Sequence, residues 1–129
     1  MQLLLDTTVL IDYLRGAPAA DHLDRRLDRG DVVGTTAVNI EEVARGLRPG
    51  EEDGAVRLIE GLTVLALGAE EGWSAGSWRR AFASRGVTLS QPDCLIAAAA
   101  LTTWAVLATG NPKEFPMEEI KVEHWPAGN

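Results

Sequence analysis

The sequence has one cysteine, only two lysines and no apolar run long enough to cross a membrane. Cys94 has no partner for a disulfide within the chain, which excludes a disulfide-stapled fold and is typical of a reducing compartment. The longest apolar stretch, residues 94–108, is interrupted by two threonines and falls short of the ~20 residues of a membrane-spanning helix. Only three leucines precede Asp6, too few for the apolar region of a signal peptide. We therefore expect a cytoplasmic protein with no membrane segment.

The length and composition predict one domain over residues 1–129. A chain of 129 residues with 46% hydrophobic residues is too short for two full domains and too apolar for a disordered protein. Its 19 acidic residues outnumber its 12 basic ones, which by itself argues against a nucleic-acid partner. All ten arginines, however, lie between Arg15 and Arg85. A local basic surface and ordinary solvated helix faces both remain compatible with this distribution.

Short apolar runs alternate with segments of helical periodicity along the chain. This alternation predicts a three-layer α/β/α sandwich with a mainly parallel central sheet. The predicted strands are residues 2–5, 31–35, 62–67, 104–109 and a final edge strand at 120–122. The predicted helices are residues 9–14 with Thr7 or Thr8 as cap, 19–29 with Leu23 and Leu27 inward, 38–47, 51–60, 69–85 and 92–103. Most of the four tryptophans are expected to pack in the core, with Trp104 beginning a buried strand.

Acidic side chains come after three of the predicted strands. Asp6 directly follows the first strand, Glu42 lies early in the helix after the second, and Glu114 follows the strand at 104–109, while Asp93 opens the apolar helix at 92–103. Because the carboxyl ends of parallel strands meet at one edge of a sheet, we expect these carboxylates to converge within reach of one cation. Oxygen ligands without histidine or cysteine suit Mg²⁺ or Mn²⁺, and such a site is typical of phosphodiester hydrolysis.

Each acid also has a purely structural explanation. Asp6 is well placed to cap a helix, and Asp93 lies in a first turn, where the helix dipole favours a carboxylate. Glu42 lies about 200° around its helix from the apolar stripe, and that face meets either solvent or a cleft.

Four segments resemble the motifs of PIN-domain ribonucleases, specifically the VapC toxins of bacterial toxin–antitoxin modules. They occur in the family's order and span nearly the whole chain: LLDTTVLIDYL at residues 4–14, VNIEEVARG at 38–46, PDCLIAA at 92–98 and LATGNPKEF at 107–115. The resemblance implies Mg²⁺-dependent endonucleolytic cutting of RNA, with Mn²⁺ as a possible substitute. It also implies dimerisation and inhibition by a cognate VapB-type antitoxin in a hetero-oligomer.

The resemblance assigns catalysis to Asp6, Glu42 and Asp93, and metal binding to these acids together with Asn111 and Glu114. Two positions depart from the family pattern. Thr8 stands where asparagine is common, and Asn111 stands where many members carry an aspartate. The second change removes one charge from the expected metal site. Whether Asn111 or Glu114 completes that site, and whether it holds one ion or two, stays open.

Substrate contacts are expected from the threonines that follow the strands and from arginines around the acids. We assign them to Thr7, Thr8, Thr109, Arg15 and Arg45. Arg45 is the favoured phosphate contact, because three residues along a helix place it on the same side as Glu42. Further rim candidates are Arg48, Arg79, Arg80 and Arg85. The acidic cleft also predicts that the antitoxin inserts an arginine or lysine.

Two other functions compete with the nuclease. A degenerate PIN fold would bind RNA or a partner protein without cleaving, and the uncharged Asn111 favours that alternative. A phosphotransferase of the haloacid-dehalogenase type also begins with an aspartate at a strand end. That chemistry requires a second aspartate two residues later, where this chain has Thr8.

Overall fold

A central sheet of five parallel strands organises the fold in the computed structural model, which describes residues 1–16 and 18–127. The strands are β1 (Gln2–Leu5), β2 (Val32–Thr36), β3 (Thr63–Leu65), β4 (Val106–Thr109) and β5 (Lys121–His124). They pair in the order β3-β2-β1-β4-β5, and every pairing is parallel. The sheet confirms the predicted fold class.

Six helices connect the strands in the described part of the chain. They are α1 (Thr7–Leu14), α2 (Pro18–Asp28), α3 (Ala37–Arg45), α4 (Glu52–Glu60), α5 (Ala69–Ala83) and α6 (Gln91–Thr103). A short 3₁₀ helix, Pro112–Glu114, follows β4. No helix among the described residues combines the length and apolar composition that crossing a membrane requires.

The leucines of β1 bury side chains on both faces of the sheet. Leu3 and Leu5 join a core cluster that includes residues of α1, α2, α3 and α4. Leu4, between them, joins the opposite cluster, which α5 and α6 dominate. Successive side chains of a strand point to opposite faces, so three consecutive leucines place β1 at the centre of a two-sided core.

The strand order reverses beside β1. The chain first adds β2 and β3 on one side of β1, then crosses to place β4 and β5 on the other. In open α/β sheets, a crevice forms at such a switch point, beyond the carboxyl ends of the strands. Asp6 follows β1 directly and therefore lies at the crevice.

Three local predictions were wrong. Trp104 does not begin a strand, because it ends α6 in the left-handed conformation, with φ of 58°, and is 92% exposed. Trp73 is also exposed, so only two of the four tryptophans, Trp78 and Trp125, lie in the core. Leu27 is exposed in the last turn of α2, where Arg26 turns inward and donates to Asp31 at 2.7 Å.

We predict that Gly34→Ala destabilises the sheet. A Cβ at this position of β2 would lie 2.8 Å from the Thr63 carbonyl oxygen of β3 and 3.3 Å from the Leu65 side chain. Overpacking of this kind costs about 1–3 kcal/mol in free energy of unfolding, measurable by urea denaturation. The control is Gly72→Ala within α5, where a Cβ meets no atom within 4 Å and the gain should be about 0.5–1 kcal/mol. Equal changes in the two variants would contradict this account of β2–β3 packing.

Candidate active site

Asp6 is a buried carboxylate held from both sides. Its Oδ2 accepts a hydrogen bond from the Thr109 hydroxyl at 2.7 Å, and its Oδ1 accepts one from the Asn39 amide at 3.3 Å. The side chain is 5% exposed and makes no capping bond to α1, although Asp6 occupies the N-cap position. Neither Asp6 nor the two predicted threonines therefore caps this helix through its side chain. The Asp6 carboxylate is instead fixed by Asn39 of α3, which follows β2, and by Thr109, the last residue of β4.

Asn39 is the polar residue that sequence reasoning missed. It is fully buried in the first turn of α3, and its amide donates to Asp6 and to the Thr7 hydroxyl, the latter at 3.1 Å. Its carbonyl oxygen accepts from the backbone N–H and hydroxyl of Thr36, at 3.2 Å and 2.7 Å. Thr36 in return accepts from the Asn39 N–H, which completes a capping box. Thr36 and Asn39 have the three-residue spacing of a capping box, with asparagine in place of the usual glutamate or glutamine.

Glu42 lies one turn beyond Asn39 and faces the crevice. Its Oε1 accepts a hydrogen bond from the Thr7 hydroxyl at 2.7 Å. The same hydroxyl accepts from Asn39, so Thr7 connects the two α3 side chains. Of the two faces that the sequence left open for Glu42, the structure places it in the cleft.

Asp93 lies in the first turn of α6, where Ser90 fixes the helix start. The Ser90 hydroxyl accepts from the Asp93 N–H at 3.2 Å. Behind Asp93, the small apolar side chains of α6, including Cys94 and Ile96, are completely buried. Burial of the helix body therefore fixes the position of the half-exposed Asp93.

These acids line one cleft of about 310 Å³. Its lining residues are Asp6, Thr7, Thr8, Glu42, Arg45, Gly46, Asp93 and Glu114. Asn111 is exposed and is not among them; its backbone N–H donates to the Thr109 hydroxyl at 3.0 Å. Of the two residues considered for the fourth ligand position, the structure thus brings Glu114 to the cleft.

The predicted substrate residues separate into three groups. Thr7 and Thr8 line the cleft, and the Thr8 hydroxyl accepts from the Gly110 N–H at 2.9 Å. Thr109 is completely buried and donates to Asp6, so it holds the carboxylate and has no face for a substrate. Arg15 is not among the cleft residues and pairs with Glu51 at 3.3 Å.

Arg45 lines the cleft, as its spacing from Glu42 predicts, but it is already partnered. Its Nε lies 3.2 Å from Oε2 of Glu41, four residues earlier on the same helix. This exposed pair places a carboxylate next to the guanidinium on that wall of the cleft.

Burial and mutual repulsion raise the pKa of three cleft acids. Burial is the largest cause for Asp6, Asp93 and Glu114. Repulsion by Glu42 raises the pKa of all three, and Asp93 adds to the rise at Asp6 and Glu114. The hydrogen bond from Thr109 lowers the pKa of Asp6 and partly offsets its burial. The carboxyl groups are therefore electrostatically coupled.

The side chains in the cleft offer oxygen ligands and no histidine or cysteine, a donor set that fits a hard divalent cation. Within residues 1–16 and 18–127, however, no three histidine, cysteine, aspartate or glutamate side chains are close enough to hold one ion together. The predicted convergence was therefore only partly right, because the acids share a cleft but do not surround one point. Glu42 accepts its hydrogen bond from Thr7.

Comparison with known sequences identifies the family. The family model described as PIN domain matches residues 3–117. Ribonuclease VapC19 of Mycobacterium tuberculosis (strain ATCC 25618 / H37Rv) is 30% identical over 115 residues, which cover 88% of this chain and 92% of the relative.

Solved structures share the same architecture. VapBC2 from Rickettsia felis, bound to a promoter DNA fragment, has a chain that superposes with a TM-score of 0.83 at 20% identity, over 97% of this chain and 99% of that chain. VapBC-1 from nontypeable Haemophilus influenzae gives a TM-score of 0.81 at 23% identity, over 97% and 98% of the two chains. With the family model matching residues 3–117 and the 30% identity to VapC19, the chain belongs to the PIN domain family as a VapC-type member.

Proposed function

We propose that the protein is a Mg²⁺-dependent endoribonuclease, the toxin of a toxin–antitoxin pair, in which Mn²⁺ can replace Mg²⁺. The observation that carries the proposal is the buried Asp6 carboxylate, held by Asn39 and Thr109 in a cleft with three other acids. A helix cap or a solvated surface acid explains neither this burial nor the shared cleft. Kinship with a protein named a ribonuclease supports RNA as the substrate.

Asp6, Glu42, Asp93 and Glu114 are the residues that would hold the metal. A bound Mg²⁺ supplies charge neutralisation at the scissile phosphate and lowers the pKa of a bound water. The chain itself keeps the acids in place: Asn39 and Thr109 orient Asp6, while Thr7 orients Glu42. Hydrogen bonds to a carboxylate favour its ionised form, so these donors also counteract the effect of burial on Asp6.

The proposed partner is a cognate VapB-type antitoxin, bound to a homodimer of this chain. The structural neighbours named above are VapBC proteins, which supports such a pair here. A net charge of −7 and a cleft lined by four carboxylates favour a basic segment as the inhibitor.

Asp93→Asn should abolish metal-dependent RNA cleavage and yet stabilise the metal-free protein at pH 7. The pKa of Asp93 is raised in the folded state, so its ionisation opposes folding as pH rises above the ordinary value of 3.8. Asparagine removes that cost at neutral pH, and the difference should vanish at a pH below both pKa values. Urea denaturation at the two pH values measures it.

Mg²⁺ provides the matching control for Asp93→Asn. The metal should raise the free energy of unfolding of the wild type more than that of the variant, because stabilisation follows ligand affinity. Cleavage retained by Asp93→Asn would remove Asp93 from the site. If the wild type binds RNA but cleaves none with Mg²⁺ or Mn²⁺, the chain is a binding-only PIN fold.

Asn39→Ala should lower kcat by about 10- to 100-fold, the usual effect of losing a residue that orients a metal ligand. The control is Thr36→Ala, which also breaks the capping box but leaves the Asn39 amide available to Asp6. Both variants should lose about 1 kcal/mol of stability with the cap. A kcat that falls equally in both would mean that Asn39 acts only through stability.

Glu114→Gln should weaken antitoxin binding, and Mg²⁺ should compete with the antitoxin, if a basic side chain enters the cleft. Binding can be measured by calorimetry with and without Mg²⁺. Glu70→Gln is the control, because Glu70 is an exposed acid on α5 and does not line the cleft. If neither Glu114→Gln nor Mg²⁺ changes the affinity for the antitoxin, the antitoxin must inhibit by binding to another surface.

A further inference from the structure

The arginines differ in whether a carboxylate already neutralises them. Arg15 and Arg45, the residues favoured by sequence, each pair with a glutamate. Arg79 and Arg80, near the end of α5, are exposed and have no carboxylate within 4.0 Å among the described residues. Their charge is therefore available to a ligand.

The segment around these arginines contains no acidic residue. Residues 72–92 include three arginines and no aspartate or glutamate, in a chain where acids outnumber bases 19 to 12. The third arginine, Arg85, lies over the Phe82 ring at 4.3 Å and borders a groove shared with Glu118 and Glu119. The least neutralised charge in this segment is thus that of Arg79 and Arg80.

Contacts along the chain connect Arg79 to the acidic cleft. Its Nε donates to the Leu89 carbonyl oxygen at 3.1 Å. The next residue, Ser90, caps the helix whose first turn carries Asp93.

The turn between α5 and α6 has a fixed shape. Gly86 adopts a φ of 78°, its N–H donates to Ala83, and the Val87 N–H donates to the Phe82 carbonyl oxygen at 3.0 Å. These bonds form a helix-terminating motif that requires the left-handed conformation at Gly86. The turn thus holds the end of α5 next to the start of α6.

We infer that Arg79 and Arg80 form a phosphate-binding surface, with the α5–α6 turn (residues 84–90), for the RNA strand where it leaves the cleft. The inference rests on the proposed function. Four carboxylates line the cleft and repel a polyanion. Arg45, the arginine that lines the cleft, is paired with Glu41. Residues 72–92, which contain no acid and lead to the first turn of α6, supply the positive charge that compensates this repulsion. Contacts to phosphate carry no base information, so this surface contributes affinity for every sequence.

Arg79→Gln/Arg80→Gln in the Asp93→Asn background tests the inference by metal-free RNA binding. Affinity for several unrelated RNA oligonucleotides should fall about tenfold for each arginine lost. The slope of log K against log salt should become shallower by roughly 0.7 for each phosphate contact to a single strand. Arg25→Gln on α2 is the control for loss of one exposed charge and should change neither quantity.

The single variant Arg80→Gln guards against a folding defect, because only Arg79 has a hydrogen bond to the turn. In otherwise wild-type enzyme, Arg80→Gln should raise KM and leave kcat unchanged, as loss of uniform binding does. The inference would be overturned if RNA affinity and salt slope stayed unchanged in Arg79→Gln/Arg80→Gln and in Arg80→Gln, while Arg45→Gln lost RNA affinity. If the wild type cleaves no RNA while binding still depends on Arg79 and Arg80, the proposed catalysis fails and this surface stands.

Discussion

Burial of the Asp6 carboxylate is the constraint on which the rest of the site depends. A carboxylate that is 5% exposed requires hydrogen-bond donors, and β1 lies between the strand that leads to Asn39 and the strand that ends at Thr109. On one side Thr36 ends β2 and begins the capping box that positions Asn39. On the other side Thr109 ends β4. The central position of β1 therefore serves the site as well as the core.

Repulsion among the acids and burial of apolar side chains act against each other. Burial and repulsion from neighbouring carboxylates raise the pKa of Asp6, Asp93 and Glu114, so ionisation of these three acids opposes folding of the metal-free protein. The apolar body of α6 opposes this repulsion, because complete burial of side chains such as Cys94 and Ile96 keeps Asp93 at the cleft. Packing of the core thus maintains a charge arrangement that is unfavourable on its own, which is typical of functional sites.

The sequence predicted the sheet well because its signals are local. A short run of three consecutive leucines is typical of a strand covered on both faces, and this pattern correctly placed β1. Asn39 and Thr109 were not predicted as the residues that hold Asp6, since they lie 33 and 103 positions from it. The prediction that Trp104 begins a buried strand was wrong for a related reason, because the exposure of Trp104 depends on how α6 ends in three dimensions. The local sequence pattern determines the strands and helices, whereas hydrogen bonds between residues far apart in the sequence determine the geometry of the site.

The same distinction explains why the favoured arginine changes between sequence and structure. A helical spacing of three residues correctly placed Arg45 on the cleft side with Glu42, but a spacing of four residues pairs it with Glu41. A charge that is already paired gains less from a phosphate, because binding must first replace the existing partner. Arg79 has its hydrogen bond to a neutral carbonyl oxygen, that of Leu89, so its charge remains available just before the start of α6. The availability of a basic residue in an acidic protein is therefore set by its nearest acid more than by its distance from the cleft.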